Sequence, residues 1–124
     1  MSQRLTPATV ERLSEFVPRR DLEAMRVVRA APFRWLPTVL GMAASTVGSF
    51  VFFRSVSFDE LSARGLALIA HEAVHIGQVR EMGLPLFLGR YLVWNIRCGF
   101  QHDRHPMEIP AIELQRRVRA ELDR

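Results

Sequence analysis

Residues 57–82 constrain the fold more than any other part of the chain. Ser57 and Glu60 open the segment with the spacing of a capping box, and Gly83 followed by Pro85 closes it. Between them, Leu66, Leu68, Ile69, Ala70, Ala73, Val74 and Ile76 cover most of the circumference of a helix. A helix that is apolar nearly all round belongs at the centre of a domain, covered on several sides. Yet its middle carries His71-Glu72-Ala73-Val74-His75. Two histidines four residues apart share one helical face, about one turn from each other, so their imidazoles can converge on one metal ion. Glu72 is then placed to take a proton from a water held by that metal. Satisfied core histidines are the plainer alternative, and the apolar setting of these polar residues weighs against it.

The rest of the chain is organised around that helix. The 124 residues are expected to form one domain, with 48% hydrophobic and 24% charged residues, values that belong to globular chains. Residues 1–35 read as an N-terminal helical segment. Thr6 caps a first helix that starts at Pro7 and carries Leu13, Phe16 and Val17 inward, and Pro18 ends it. A second helical piece is expected from Asp21 to Ala31, with Leu22, Met25 and Val28 facing the core. Residues 36–58 favour a strand or hairpin, centred on Thr46-Val47-Gly48-Ser49-Phe50-Val51-Phe52-Phe53-Arg54. A membrane helix over Leu36–Phe53 is the rival reading, because that run has no charge. Pro37, Gly41, Gly48 and interspersed Ser and Thr residues argue against it, and its length barely reaches the ~20 residues of a span. Residues 84–124 should supply two further helices, one over Leu86 to Phe100 and one from about Met107 to Leu122. The expected fold class is therefore α+β, predominantly helical, with a short β-hairpin or edge strand before the motif helix, which runs from about 58 to 82.

Zinc sites that do chemistry have three protein ligands and keep one position for water. His71 and His75 supply two. The third comes from a set that holds His102, His105, Glu108, Glu113 and Asp103. Glu108 is the best placed, after a polar turn and at the opening of a helix able to pack against the motif helix. Glu113 lies about 140° around that helix from Glu108, so only one of the two can face the metal. His102 and His105 read more simply as turn residues. Tyr91, the only tyrosine, is a candidate donor to an oxyanion, and an amphipathic core residue otherwise. An edge strand within Ala44 to Arg54 would let an extended peptide pair alongside the metal.

Composition narrows the partners. All seventeen basic residues are arginine and the net charge is +4. Acidic residues interleave with them, as in Arg19-Arg20-Asp21-Leu22-Glu23, so solvated helix faces are expected rather than a nucleic-acid footprint. Peripheral membrane contact through Leu36–Phe53, Leu84–Phe100 and the arginines is a further option. Cys98 is the single cysteine, and no signal-peptide core precedes the first helix, so a reducing, cytoplasmic setting is expected.

The run Leu66-Ala67-Leu68-Ile69-Ala70-His71-Glu72-Ala73-Val74-His75-Ile76-Gly77-Gln78 resembles the zincin-like metallopeptidase domains of bacteria. Arg104-His105-Pro106-Met107-Glu108-Ile109-Pro110-Ala111 is similar to that family's N-P-x-E-x-E-A segment, and residues 46–54 look like the strand such domains place before the motif helix. The resemblance spans roughly residues 38–115. It implies a minimal zincin fold of gluzincin type, with Zn2+ on His71, His75 and Glu108 and with Glu72 as catalytic base. The implied activity is hydrolysis of a peptide or protein substrate, and the shortness of the chain leaves three options: action on one exposed peptide, a need for a protein partner, or work as a module of a larger system. The alternative is a non-catalytic zinc-binding scaffold or interaction module. His105 stands where the family usually has asparagine. Pro110 stands where a second acidic residue is common, and it bears on how Glu108 is presented.

Overall fold

The computed structural model describes residues 2–28, 44–47, 50–53 and 58–123. A short strand β1 (Ser2–Gln3) leads into helices α1 (Pro7–Leu13) and α2 (Arg19–Ala24). Strands β2 (Arg26–Val28), β3 (Ala44–Val47) and β4 (Phe50–Phe53) follow. Then come the long helix α3 (Ala63–Met82), α4 (Leu84–Arg97), a 3-10 turn at His102–Arg104, and α5 (Ile109–Leu122). The protein is thus α+β and predominantly helical, with its sheet placed before the motif helix in the chain.

The sheet runs β1-β2-β4-β3. β3 and β4 form an antiparallel hairpin in which Thr46 faces Val51 and Val47 faces Phe50. β2 pairs in parallel with β4, Val27 opposite Val51, and antiparallel with β1. β2 corrects the helical expectation for Asp21 to Ala31. The helix stops at Ala24, and Met25 is extended with ψ 130°. The β-branched pair Val27-Val28 favours a pleated surface, and partners on both sides of β2 decide the matter. The expected inward residues survive the change, since Leu22, Met25 and Val28 are all buried. Residues 29–43 and 54–57, which include most of the uncharged run's first half and the expected cap Ser57, lie outside the described residues.

Helix α3 starts five residues later than the capping box suggests. Ser62 is its cap and its Oγ accepts from the Gly65 N–H at 3.0 Å. Glu60 serves a different helix: its Oε2 accepts from the Thr6 N–H and from the Thr6 and Thr9 hydroxyls at 2.6–2.9 Å, fixing the start of α1. Glycine at 65 is sterically required, because a β-carbon there would lie 2.0 Å from the Asp59 carbonyl oxygen. At the other end the Gly83 N–H caps Val79 O at 2.7 Å, with Gly83 at φ +83°.

Leu13, Leu22, Met25, Val27, Val51, Leu66, Ile69 and Val118 are fully buried and form one core around α3. α5 is the principal neighbour of α3, while α2 and β3 flank it elsewhere. A buried Asp21 carboxylate takes both Nε and Nη2 of Arg80, at 2.8 and 3.1 Å, and so ties α2 to α3. Pro110 occupies the first turn of α5, where a missing N–H deprives no carbonyl of its bond, so the helix starts without a kink there. Among the described residues no helix is long and apolar enough to cross a membrane.

Candidate metal centre

His71 and His75 lie on one face of α3, their ring centroids 5.2 Å apart. The last turn before α5 carries Glu108 across to them. His71 Nε2 is 3.1 Å and His75 Nε2 2.8 Å from the same oxygen, Glu108 Oε1. One donor atom from each of the three residues falls within 4.8 Å of the others, and all three side chains are buried. Glu108 is the N-terminal flanking residue of α5, so the first turn of that helix aims the carboxylate at α3.

The other ring nitrogens define the proton positions. His75 Nδ1 is 2.9 Å from Gln78 Oε1, and Gln78 Nε2 donates to the Met107 carbonyl at 2.9 Å. That second bond fixes the amide orientation, so Gln78 presents its oxygen and His75 Nδ1–H donates to it. His71 Nδ1 likewise faces Gln115 Oε1 at 2.7 Å. With Gln115 presenting its oxygen as placed, Nδ1–H donates in both neutral rings, and both Nε2 lone pairs point at a carboxylate oxygen. Three acceptors around one point are mutually unfavourable unless a proton or a cation lies between them. This is the outer-shell pattern of ligating histidines, in which the far nitrogen donates to an oxygen and sets the tautomer. The buried His71, His75 and Glu108 group could therefore hold a metal ion. Two imidazoles and one carboxylate are a donor set that suits zinc.

Protonation is the alternative way to relieve the cluster. Burial alone would lower the His75 pKa, but the bond to Glu108 and the charges of Glu72 and Glu108 outweigh it and raise it to about 9. A metal ion would compete with that proton.

The remaining candidates separate cleanly. Glu72 is buried beside the histidines, and its charge is felt by both His75 and Tyr91. Tyr91, on α4, donates its hydroxyl to Glu108 Oε2. Burial, then the Glu108 charge, pushes its pKa upward, so it remains a neutral donor. His105 is fully buried, its ring 4.2 Å from that of Tyr91 and tilted 32° to it. Its Nδ1 accepts from the Met107 N–H at 3.1 Å and its Nε2–H donates to the Tyr91 carbonyl at 2.9 Å. Both ring nitrogens are committed to backbone, so His105 pins the Glu108 turn to α4 and does not join the donor cluster. Glu113 and Asp103 are exposed, and His102 lies in the 3-10 turn. Sequence reasoning missed Gln78 and Gln115. Gln78 was accessible from its spacing three residues after His75, and Gln115 from its place two turns after Glu108.

No curated protein and no solved structure matches the chain. A family does: the chain matches the eCIS core domain, where eCIS denotes extracellular contractile injection system, over residues 4–83. The match takes in α1, α2, strands β2, β3 and β4 and the whole of α3 with His71, Glu72 and His75, and it stops at Gly83, before Tyr91 and Glu108. Membership of this family neither supports nor excludes the peptidase activity that the zincin-like motif implies. With more than half of its length matched, the chain belongs to the eCIS core domain family.

Proposed function

We propose that this domain is a zinc-dependent hydrolase of peptide bonds, with His71, His75 and Glu108 as zinc ligands and Glu72 as general base. The observation that carries the reading is the convergence of both Nε2 atoms on Glu108 Oε1, each imidazole being oriented from behind by a glutamine amide. A bound zinc ion supplies Lewis acidity, acidifying water and polarising the scissile carbonyl. Glu72 accepts the proton of the attacking water and returns it to the departing amine. Tyr91, the half-buried member of the group, has one hydroxyl proton, held by Glu108 Oε2 in the free protein; with substrate bound it turns from Glu108 to the developing oxyanion, and its raised pKa keeps the proton in place. Gln78 and Gln115 hold the two rings in the tautomer that leaves Nε2 available. The single cysteine and the arginines that meet carboxylates, Arg19 with Glu11 and Arg80 with Asp21, fit a reducing compartment and a protein rather than nucleic-acid partner.

A second reading draws on the burial of His71, Glu72, His75 and Glu108. Enclosure on that scale suits a metal that stabilises a scaffold or interaction module. Elemental mass spectrometry and a peptide-library cleavage assay separate the two. About one zinc per chain, lost in Glu108→Ala and kept in Glu72→Gln, is expected from both. Cleavage by the wild type and none by Glu72→Gln supports the hydrolase. Zinc without cleavage supports the scaffold, and a chain that takes up no zinc refutes both.

A further inference from the structure

The face of α4 that points away from the metal centre has no partner in the described protein. Phe87 is the one fully buried residue of this helix, and with Tyr91 it marks the side turned to α3. On the opposite side Leu88, Leu92 and Ile96 recur every four residues, and Phe100 continues the line just past the helix end. They are 46%, 58%, 62% and 71% exposed. α4 therefore stands out as a ridge rather than lining a groove. Leu86 and Val93, 46% and 48% exposed, widen this face around the helix, and at its border beyond them lie two arginines seven residues apart, Arg90 and Arg97, the Arg97 guanidinium 5.4 Å over the Trp94 ring. From Met82 to His102 the chain has no carboxylate.

Phe100 adds an independent sign. α4 ends in a Schellman motif, with Gly99 N–H on Ile96 O and Phe100 N–H on Asn95 O, and Gly99 takes the left-handed conformation such an end needs. Phe100 then takes a second positive φ, +61°, which is costly for a bulky side chain. The strain holds an aromatic ring in the solvent, in line with the leucine stripe.

We propose that this face of α4 is a docking surface for an anionic phospholipid bilayer, with the helix lying in the plane of the interface. Charge decides between occupants. A second copy packed face to face would offer Arg90 and Arg97 no carboxylate, since the helix carries none. An anionic surface answers both arginines, and a flat interface receives a convex ridge. A helix with Leu and Phe on one side and arginines at its edge binds such a surface by burying the apolar side while the guanidiniums meet phosphates.

The test is co-sedimentation of the full chain with vesicles of equimolar phosphatidylglycerol and phosphatidylcholine, with pure phosphatidylcholine beside them. Binding is expected on the anionic vesicles and at least tenfold less on the neutral ones. Leu92→Ser and Ile96→Ser should each weaken partition by about tenfold, and Arg90→Gln and Arg97→Gln by about fivefold each. Leu61→Ser, at a 91% exposed leucine off this face, should change nothing. Phe100→Asn should raise the melting temperature, because asparagine tolerates the left-handed backbone, and yet weaken partition. That opposition of signs excludes misfolding as the cause. No binding to anionic vesicles at low salt would overturn the proposal. So would equal loss with Leu61→Ser, or a dimer in sedimentation equilibrium that Leu92→Ser dissolves.

Discussion

The cluster of His71, His75 and Glu108 makes the zinc-free protein a pH-sensitive fold, in a direction that can be worked out. His75 has its pKa raised from 6.5 to about 9 in the folded chain. Below about pH 6.5 the ring is protonated both folded and unfolded, and the full stabilisation is present. Between about 6.5 and 9 the folded state keeps a proton that the unfolded state has released, so stability falls as pH rises. Above about 9 the contribution is gone. At ~1.4 kcal/mol per pKa unit the loss is on the order of 3 kcal/mol. For a chain of this length that is roughly 10 °C in melting temperature. The assay is thermal unfolding followed by circular dichroism, in the presence of a chelator, across that window. His75→Gln removes the titrating ring and should flatten the profile. Added zinc should reverse the slope, because it binds the deprotonated imidazoles and gains affinity as pH rises. A zinc-free wild type whose stability is flat or rising from about pH 6.5 to 9 would falsify this account of the cluster.

The remaining expectations concern parts that support the site. Gly65→Ala drives a methyl into the Asp59 carbonyl at the start of α3 and should destabilise by at least about 3 kcal/mol in chemical denaturation, or prevent folding. Gly89→Ala meets nothing within 4 Å in the middle of α4 and should stabilise by about 0.5–1 kcal/mol in the same experiment. His105→Phe leaves the Met107 N–H and the Tyr91 carbonyl without their imidazole. It should cost about 2–4 kcal/mol and weaken zinc uptake, measured by a competing chelator, although His105 is not a ligand. Glu60→Ala removes the acceptor of three hydrogen bonds at the start of α1 and should lower stability by about 1–2 kcal/mol.

What could be read from the sequence was what depends on local pattern. The central helix, its stop at Gly83 and the facing of His71 and His75 all follow from residues within a few turns of one another. The hairpin was legible for the same reason, since Thr46–Phe53 is rich in strand formers. The failures share one cause, which is that a distant partner decides. Val27 and Val28 leave a helical context because β1 and β4 bracket them. Glu60 leaves the cap of α3 because Thr6 and Thr9, more than fifty residues earlier, compete for its carboxylate. At the site, Glu108 was favoured on pattern, and α5 brings it to the two histidines. The role of His105 was not legible, because it rests on two backbone groups, one of them on α4.

The order in which these parts leave the ribosome carries a consequence. His71 and His75 belong to the stretch that ends at Gly83, whereas Glu108 and Gln115 arrive later, at the start of α5 and within it. Until then the side of α3 that meets Ala111 and Val118 is bare, and the donor set is incomplete. Domains fold as their N-terminal parts emerge, so until α5 is made residues 4–83 form a nascent body with an uncovered flank. Metal uptake would then report that synthesis has passed α5: a polypeptide broken off before Glu108 could not close the centre, however well residues 4–83 had folded.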